Sequence, residues 1–204
     1  YSKFHFFMSF FDRCIKIRMP DKLPPPGEPV KLKPVVREDG WVGDFMPISE
    51  WNPIAPASSE EAKDFEFPAW LPDRYAAHMW RAFHSGKMTE GKPYFDATSI
   101  LITAPITPYS RGKNRSRYGA GYGCFLYADT PFDFEVEVNV ECSKVVYYDG
   151  DKIIGEVTEA PWNLKQAKLE PGLRAVYAVA VQQDGSQVPS RCTFPVVKPT
   201  KPKS

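Results

Sequence analysis

The chain has 204 residues, and its 26 basic and 25 acidic side chains leave a formal charge of only +1. This balance gives no global electrostatic reason to expect nucleic acid or an anionic membrane as a partner. Proline is the outlier at 21 residues, about twice the usual share of roughly 5%, so extended segments and turns should outnumber long helices. No apolar run of about 18 residues occurs, so no membrane span is predicted.

Residues 2–19 have the apolar periodicity of an amphipathic helix, which Pro20 ends because the residue before proline avoids helical backbone angles. The helix carries too many phenylalanines to stand alone, and the neighbouring sequence offers little surface for it. We therefore predict that it docks on a protein partner or on an upstream catalytic domain. The predicted docking face consists of Phe6, Phe7, Phe10 and Phe11.

Residues 20–96 are predicted to be a proline- and tryptophan-rich extended segment with one helix. Six prolines between residues 20 and 34 indicate a stiff connector. Residues 35–68 show no sustained period, which indicates an irregular segment anchored by Trp41 and Trp51. The helix is expected near residues 72–85, with Pro72 in its first turn and Gly86 at its end. Its predicted buried stripe consists of Tyr75, Met79, Trp80 and Phe83.

From residue 97 the period of the sequence changes to two, which is typical of strands. Residues 132–142 alternate most clearly, with apolar side chains on one face and mostly acidic ones on the other. Asp149-Gly150 separates two apolar runs, a strong hairpin signal because the turn needs positive φ. Further strands are predicted at residues 99–103, 173–181 and 191–197. The sequence thus predicts an antiparallel immunoglobulin-like sandwich over residues 97–198, followed by a flexible tail at 199–204.

Two segments resemble bacterial immunoglobulin-like domains. Residues 144–162 read KVVYYDGDKIIGEVTEAPW, similar to the central hairpin and following A-P-Y/W corner of those domains. Residues 169–185 read LEPGLRAVYAVAVQQDG, similar to the strand that comes next in the family. The long insertion at 108–123 departs from the family, which has a short turn there. The resemblance implies a secreted, periplasmic or cell-surface bacterial module that binds or spaces.

The first half resembles the C-terminal end of some secreted bacterial α/β-hydrolase-like proteins. The resemblance rests on the helix, the proline connector, GWVGD at residues 40–44 and PAWLPD at residues 68–73. It implies that residues 2–19 are the last helix of a hydrolase fold. The nucleophile elbow G-x-S-x-G does not occur in this sequence. If the hydrolase resemblance is correct, the catalytic core therefore lies outside this chain.

No residue pattern predicts a catalytic centre, a cofactor or a metal. His5 lies inside a predicted helix, and the sequence predicts no nucleophile for which it could act as general base. His78 and His84 lack the i, i+4 spacing of a zinc pair. The cysteines have no C-x-x-C spacing, so free, buried thiols are favoured, while a disulfide stays open for an exported protein. The four cysteines are Cys14, Cys124, Cys142 and Cys192.

The insertion carries a basic cluster with interleaved tyrosines, which favours a solvated loop and leaves open a contact with a polysaccharide or another polyanion. The residues of this possible contact are Tyr109, Arg111, Lys113, Arg115, Arg117, Tyr118 and Tyr122.

Three functional hypotheses follow from these patterns. The first is a non-catalytic structural, adhesive or spacer module of an exported bacterial protein. The second is the C-terminal part of an esterase- or peptidase-like hydrolase, with α/β-hydrolase chemistry supplied elsewhere. The third is a self-assembling structural subunit that adds strands at exposed sheet edges. None of the three gives this chain a catalytic role of its own.

Overall fold

The computed structural model describes residues 2–45, 51–84, 87–88, 95–96, 99–105 and 125–200. Within these ranges the chain is mainly β, with two α-helices. No helix among the described residues is both long and apolar enough to cross a membrane.

The N-terminal region contains both helices and a small sheet. Helix α1 ends two residues before Pro20, as the proline predicts. Asp73 caps the second helix, α2, because its Oδ1 accepts the N–H of Ala76 at 2.8 Å. Pro72 therefore precedes the cap and does not lie in the first turn as predicted. The elements are α1 (Ser2–Arg18), β1 (Trp41–Asp44), β2 (Ile54–Pro56), β3 (Pro68–Leu71), α2 (Arg74–His84), β4 (Lys87–Met88) and β5 (Phe95–Asp96).

The expectation that residues 35–68 are irregular is wrong in one respect. Strands β1, β2 and β3 form an antiparallel sheet in the order β2-β1-β3. Each strand has only three or four residues, which is too short for an alternating pattern to stand out in the sequence. Gly43 in β1 lies against the Trp80 ring, so the absence of a side chain there lets α2 approach the small sheet.

The described residues of the C-terminal half form ten further strands. The predicted strand at residues 173–181 is divided between β12 and β13. Of the predicted strand at residues 191–197, only residues 196 and 197 lie in a strand, β15, and the preceding β14 was not predicted. The strands are β6 (Ile100–Ala104), β7 (Phe125–Tyr127), β8 (Phe132–Val138), β9 (Lys144–Asp149), β10 (Lys152–Val157), β11 (Leu164–Ala167), β12 (Gly172–Leu173), β13 (Val176–Val181), β14 (Gln187–Pro189) and β15 (Val196–Lys198).

These strands form two principal antiparallel sheets and a smaller third one. The first sheet has the order β11-β8-β6, and the second has the order β10-β9-β13-β14. The third joins β12, β15 and β7, with β7 parallel to β15. The predicted hairpin joins β9 to β10, where Asp149 pairs with Lys152 and Gly150 has φ of +59°. Glycine tolerates this angle because it has no Cβ.

The predicted mainly β fold with an immunoglobulin-like sandwich is confirmed. Side chains of β6, β8, β9 and β13 that point between the two principal sheets form one buried cluster. Phe134 and Tyr147 stack within it, with ring centroids 5.8 Å apart. On the far side of β8, Glu135 and Glu137 are exposed, as the alternating sequence predicts.

Candidate functional site at the helix–sheet junction

Helix α2 covers the outer face of the sheet that contains β13. The outward-facing side chains Ala175, Tyr177 and Val179 are fully buried. They share one apolar cluster with the side chains of α2. Three alanines of α2, at positions 76, 77 and 82, are also fully buried, and their small size lets the helix lie close to the sheet. The sheet is therefore buried on both faces along β13.

The hydroxyl of Tyr75 connects α2 to the sandwich. It donates a hydrogen bond to Oδ1 of Asp149 at 2.8 Å and accepts one from the backbone N–H of Ala175 at 2.8 Å. Burial and the neighbouring Asp149 carboxylate raise the pKa of Tyr75 well above its usual value. The phenol therefore stays neutral and can act as both donor and acceptor at this position.

A buried ion pair completes this contact. Arg174 binds Oδ2 of Asp149 through its Nε at 2.8 Å and through an Nη at 2.5 Å. The guanidinium also lies over the Tyr75 ring, 5.4 Å from its centroid. The guanidinium of Arg13 in α1 lies over the same ring, 4.7 Å from its centroid. The Nε of Arg13 also donates a hydrogen bond to the cap residue Asp73 at 2.7 Å. We call Arg13, Asp73, Tyr75, Asp149 and Arg174 the Tyr75 network; it ties both helices to the sandwich.

A second group of polar and aromatic side chains lies along α2, away from the Tyr75 network. Arg81 places its guanidinium 4.0 Å from the centroid of the Trp51 ring, and one Nη lies 3.2 Å from Nδ1 of His78. Trp51 is tilted against Tyr177, and Tyr177 stacks on Tyr148 at 5.0 Å. One turn from Arg81, His78 faces Trp41 at 6.3 Å. We call Trp41, Trp51, His78, Arg81 and Tyr148 the Arg81 surface; all five are partly exposed.

The end of α2 lies in an aromatic cluster. His84 has four aromatic rings around it, with centroids between 5.0 and 5.9 Å from its own; they belong to Phe6, Phe45, Trp80 and Phe83. Burial lowers the pKa of His84 to about 4, since these apolar surroundings disfavour the charged ring. His78 has a pKa of about 4 as well, through burial and through the nearby positive charges of Arg81 and Arg74.

The structure divides the predicted docking face of α1 between two environments. Phe6 is buried and stacks on Phe83 of α2 at 4.5 Å, and Phe10 packs beside it. Phe7 and Phe11 point to solvent and are 52% and 55% exposed. The helix thus finds within its own chain the packing surface that the sequence did not reveal. Docking on a partner through this helix stays a prediction.

The predicted ligand contact in the insertion lies outside the described residues, so it also stays a prediction. The same holds for Cys124. Cys14, Cys142 and Cys192 are free thiols, but of these three only Cys192 is buried as predicted, and Cys14 and Cys142 are partly exposed. Burial raises the pKa of the Cys192 thiol well above its usual value, which disfavours the reactive thiolate. Among the described residues, no group of three or more His, Cys, Asp and Glu side chains has the arrangement of a metal site.

Sequence reasoning missed the Tyr75 network because it assigned Asp149 to turn chemistry alone. One signal was available: Arg174 interrupts an otherwise apolar run at residues 173–181. A charged residue in such a run needs a buried partner, because an isolated buried charge is costly. The identity of that partner follows only from the pairing of β9 with β13, which places Asp149 opposite Val176.

The strand order and the two facing sheets define an immunoglobulin-like β-sandwich. The chain is similar to a structure in the set described as "Structures of Clostridium thermocellum CbhA fibronectin(III)-like modules", with 26% identity over 48% of this chain and 94% of that chain and a TM-score of 0.37. No protein-family model matches the sequence, and no curated protein matches it.

Proposed function

We propose that this chain is a non-catalytic structural or adhesive module of an exported bacterial protein. In this proposal the N-terminal region is a cap bound to the sandwich, and the two move as one body. A module of this kind holds neighbouring parts of a protein at a set distance and orientation, and it presents a fixed outer surface.

One observation carries the proposal: the sheet of β13 is buried on both faces, and α2 supplies the second cover. The Tyr75 hydroxyl adds two buried, directional hydrogen bonds across this junction. A buried polar group left without its hydrogen-bond partner typically costs about 1–3 kcal/mol, and the apolar area under α2 resists separation as well. Independent motion of cap and sandwich would therefore have to break both hydrogen bonds and expose the apolar cluster.

The exposed side of α1 supports the partner that the sequence predicts. Phe7, Met8, Phe11 and Ile15 are each at least 46% exposed and recur at spacings of one, three and four residues along the helix. On a helix these positions lie on one side. A protein surface seated there would bury the two phenylalanines that α2 leaves uncovered.

The same exposed side of α1 favours a second candidate function, in which α1 docks on a hydrolase core that lies outside this chain. In that case the module would position an esterase- or peptidase-like enzyme without contributing to its chemistry. A variant with Phe7 and Phe11 both replaced by Ser would lose binding to such a core. Wild-type chain that remains monomeric, with the core present, would contradict this candidate.

Hydrogen exchange tests the proposed rigid junction. We expect the amides of α2 and of β9 to exchange with similar opening free energies, because they belong to one cooperative unit. Exchange of α2 at a much lower free energy, with β9 still protected, would show that the cap is loosely attached and would contradict the proposal.

Two further measurements test the rest of the proposal. The isolated chain should not hydrolyse p-nitrophenyl esters above the buffer rate, and turnover that survives further purification would show an enzyme. Antibodies against this chain should detect it outside the cytoplasm of the bacterium that encodes it. Detection in the cytosolic fraction alone would contradict an exported module.

A further inference from the structure

Arg81 carries a positive charge that no described residue neutralises. Its side chain is partly buried, and its Nε is fully buried without a hydrogen-bond partner. The described ion pairs involve other residues, so Arg81 has no carboxylate partner within the described part of the chain. Burial lowers the pKa of its guanidinium, as expected for a desolvated cation. Buried charges in proteins are usually paired, so among the described residues this arrangement lacks an anion.

The surroundings of Arg81 reinforce the local excess of positive charge. Arg74 lies on the same side of α2, two turns earlier, and its Nε is 3.6 Å from the carboxylate of Asp151. His78 lies between the two arginines and is neutral near pH 7 because of its low pKa. The group formed by Arg74, His78, Arg81 and Asp151 therefore has a net charge of about +1.

The Arg81 surface also offers flat apolar groups beside this charge. Trp41 and Trp51 lie near its two ends, and Tyr148 lies on the adjoining β9. Tryptophan and tyrosine combine a flat apolar face with a polar edge, which suits a sugar ring with an apolar C–H face and polar hydroxyls. A guanidinium binds a carboxylate with two parallel hydrogen bonds. Acidic peptides are bound mainly by clusters of arginines, whereas this surface has one arginine that no described carboxylate compensates, between two tryptophans.

We propose that the Arg81 surface binds the carboxylate of an acidic sugar, with Arg81 as the anion contact and the neighbouring aromatic side chains as the ring contact. The inference rests on the proposed function, because it gives the adhesive module a ligand class. It does not depend on the insertion at residues 108–123, whose own basic cluster is a separate prediction.

The test compares an acidic sugar with a neutral one of equal size. Trigalacturonate and galactotriose are titrated into the full chain by calorimetry and by NMR. We expect trigalacturonate to bind at least about tenfold more tightly, since only it supplies carboxylates for the guanidinium. Equal binding of both sugars, or no binding of trigalacturonate at millimolar concentration, would overturn the proposal. So would tighter binding of a glutamate-rich peptide, which would indicate a protein ligand.

Two variants locate the contact. Arg81→Gln should lose at least about tenfold in affinity for trigalacturonate, while Arg37→Gln, which removes one exposed arginine elsewhere, should bind like wild type. Equal losses in both variants would indicate a general charge effect and would overturn the proposal. If R81Q does not fold, the wild-type NMR titration decides: binding at this surface must shift the indole N–H signals of Trp41 and Trp51. Shifts confined to other residues would overturn it.

The pKa of His78 gives a readout that a purely structural role of Arg81 would not change. A carboxylate bound to Arg81 offsets the positive charge that disfavours protonation of the imidazole, so the His78 pKa should rise above about 4 on addition of trigalacturonate. An unchanged pKa at saturation would contradict binding at Arg81.

Glu50 precedes Trp51 in the sequence. If E50Q lowers the His78 pKa of the free protein, the chain supplies its own carboxylate and the proposal fails.

Failure of the sugar proposal is distinguishable from failure of the proposed function. The hydrogen-exchange and ester-hydrolysis measurements need no ligand. A rigid, inactive module that does not bind trigalacturonate would therefore contradict the sugar proposal and leave the proposed function intact. A loosely attached cap would contradict the proposed function, whatever the sugar titration shows.

Discussion

The hydroxyl of Tyr75 on α2 hydrogen-bonds Asp149 at the end of β9, 74 residues further along the chain, over 2.8 Å. The same oxygen accepts the backbone N–H of Ala175, directly before β13. One phenol thereby joins the cap to two strands of the sandwich. Because the site is buried, neither partner can form a replacement hydrogen bond with water if the hydroxyl is removed.

Replacing Tyr75 by Phe should therefore destabilise the protein by about 1–3 kcal/mol, because it leaves a buried N–H and a carboxylate oxygen without this partner. Urea unfolding measures the change. Tyr127→Phe is the matched control, since Tyr127 is partly exposed on β7 and surface changes usually stay within about 0.5 kcal/mol. Equal effects of the two variants would argue against the Tyr75 network as a stabilising contact.

The close approach of α2 to the β9–β10 hairpin can be tested with two glycines. Gly150 and Gly185 both lie in hairpin turns with positive φ, but only at Gly150 would a methyl group overlap the Tyr75 ring. Gly185→Ala should cost about 1–2 kcal/mol from backbone strain alone. Gly150→Ala should cost about 1–3 kcal/mol more, because the added carbon overfills the junction.

Thermal or urea unfolding of the two glycine variants gives the comparison. If Gly150→Ala proves no more destabilising than Gly185→Ala, the Tyr75 ring can move aside and the junction is less tightly packed than the structure indicates.

Adjacent phenylalanines on α1 separate internal packing from an exposed surface. Phe6→Ala should destabilise the protein by about 3 kcal/mol, because Phe6 is buried against Phe83. Phe7→Ala should stay within about 0.5 kcal/mol in the isolated chain, since Phe7 is about half exposed. The reverse order, measured by urea unfolding, would mean that α1 docks through its other side.

Acidification should destabilise the protein through His78 and His84. Both have a pKa of about 4 in the folded protein against an ordinary value of 6.5, so the unfolded chain binds protons more readily between these values. Their contribution to stability is complete above pH 6.5, falls as the pH drops to about 4, and stays constant below it.

The contribution of His84 can be isolated by replacing it with leucine, which fits the same aromatic cluster and does not titrate. The stability lost between about pH 7 and about pH 4.5 should be smaller in H84L than in wild type. Urea unfolding at the two pH values measures both losses, and their difference removes the contribution of the carboxylates. Equal losses would show that His84 is not held neutral by its surroundings.

Much of the sandwich could be predicted because its signals are local. The alternation of β8 and the Asp149-Gly150 turn each depend on residues close together in sequence. The small sheet of β1, β2 and β3 was missed because its strands are too short to show a period. The Arg81 surface was missed because Trp51 and Arg81 are 30 positions apart, and packing in a core is by itself a sufficient role for a tryptophan.

The sequence by itself determined that β13 is covered on both faces. Its residues read VYAVAV without a polar alternation, whereas β8 alternates and has one face in water; a strand with both faces buried needs apolar side chains on each. Only the tertiary structure decided that α2 is the cover. It also decided that Tyr75 is the partner of Asp149, because contacts between residues so distant in sequence depend on how whole elements pack together.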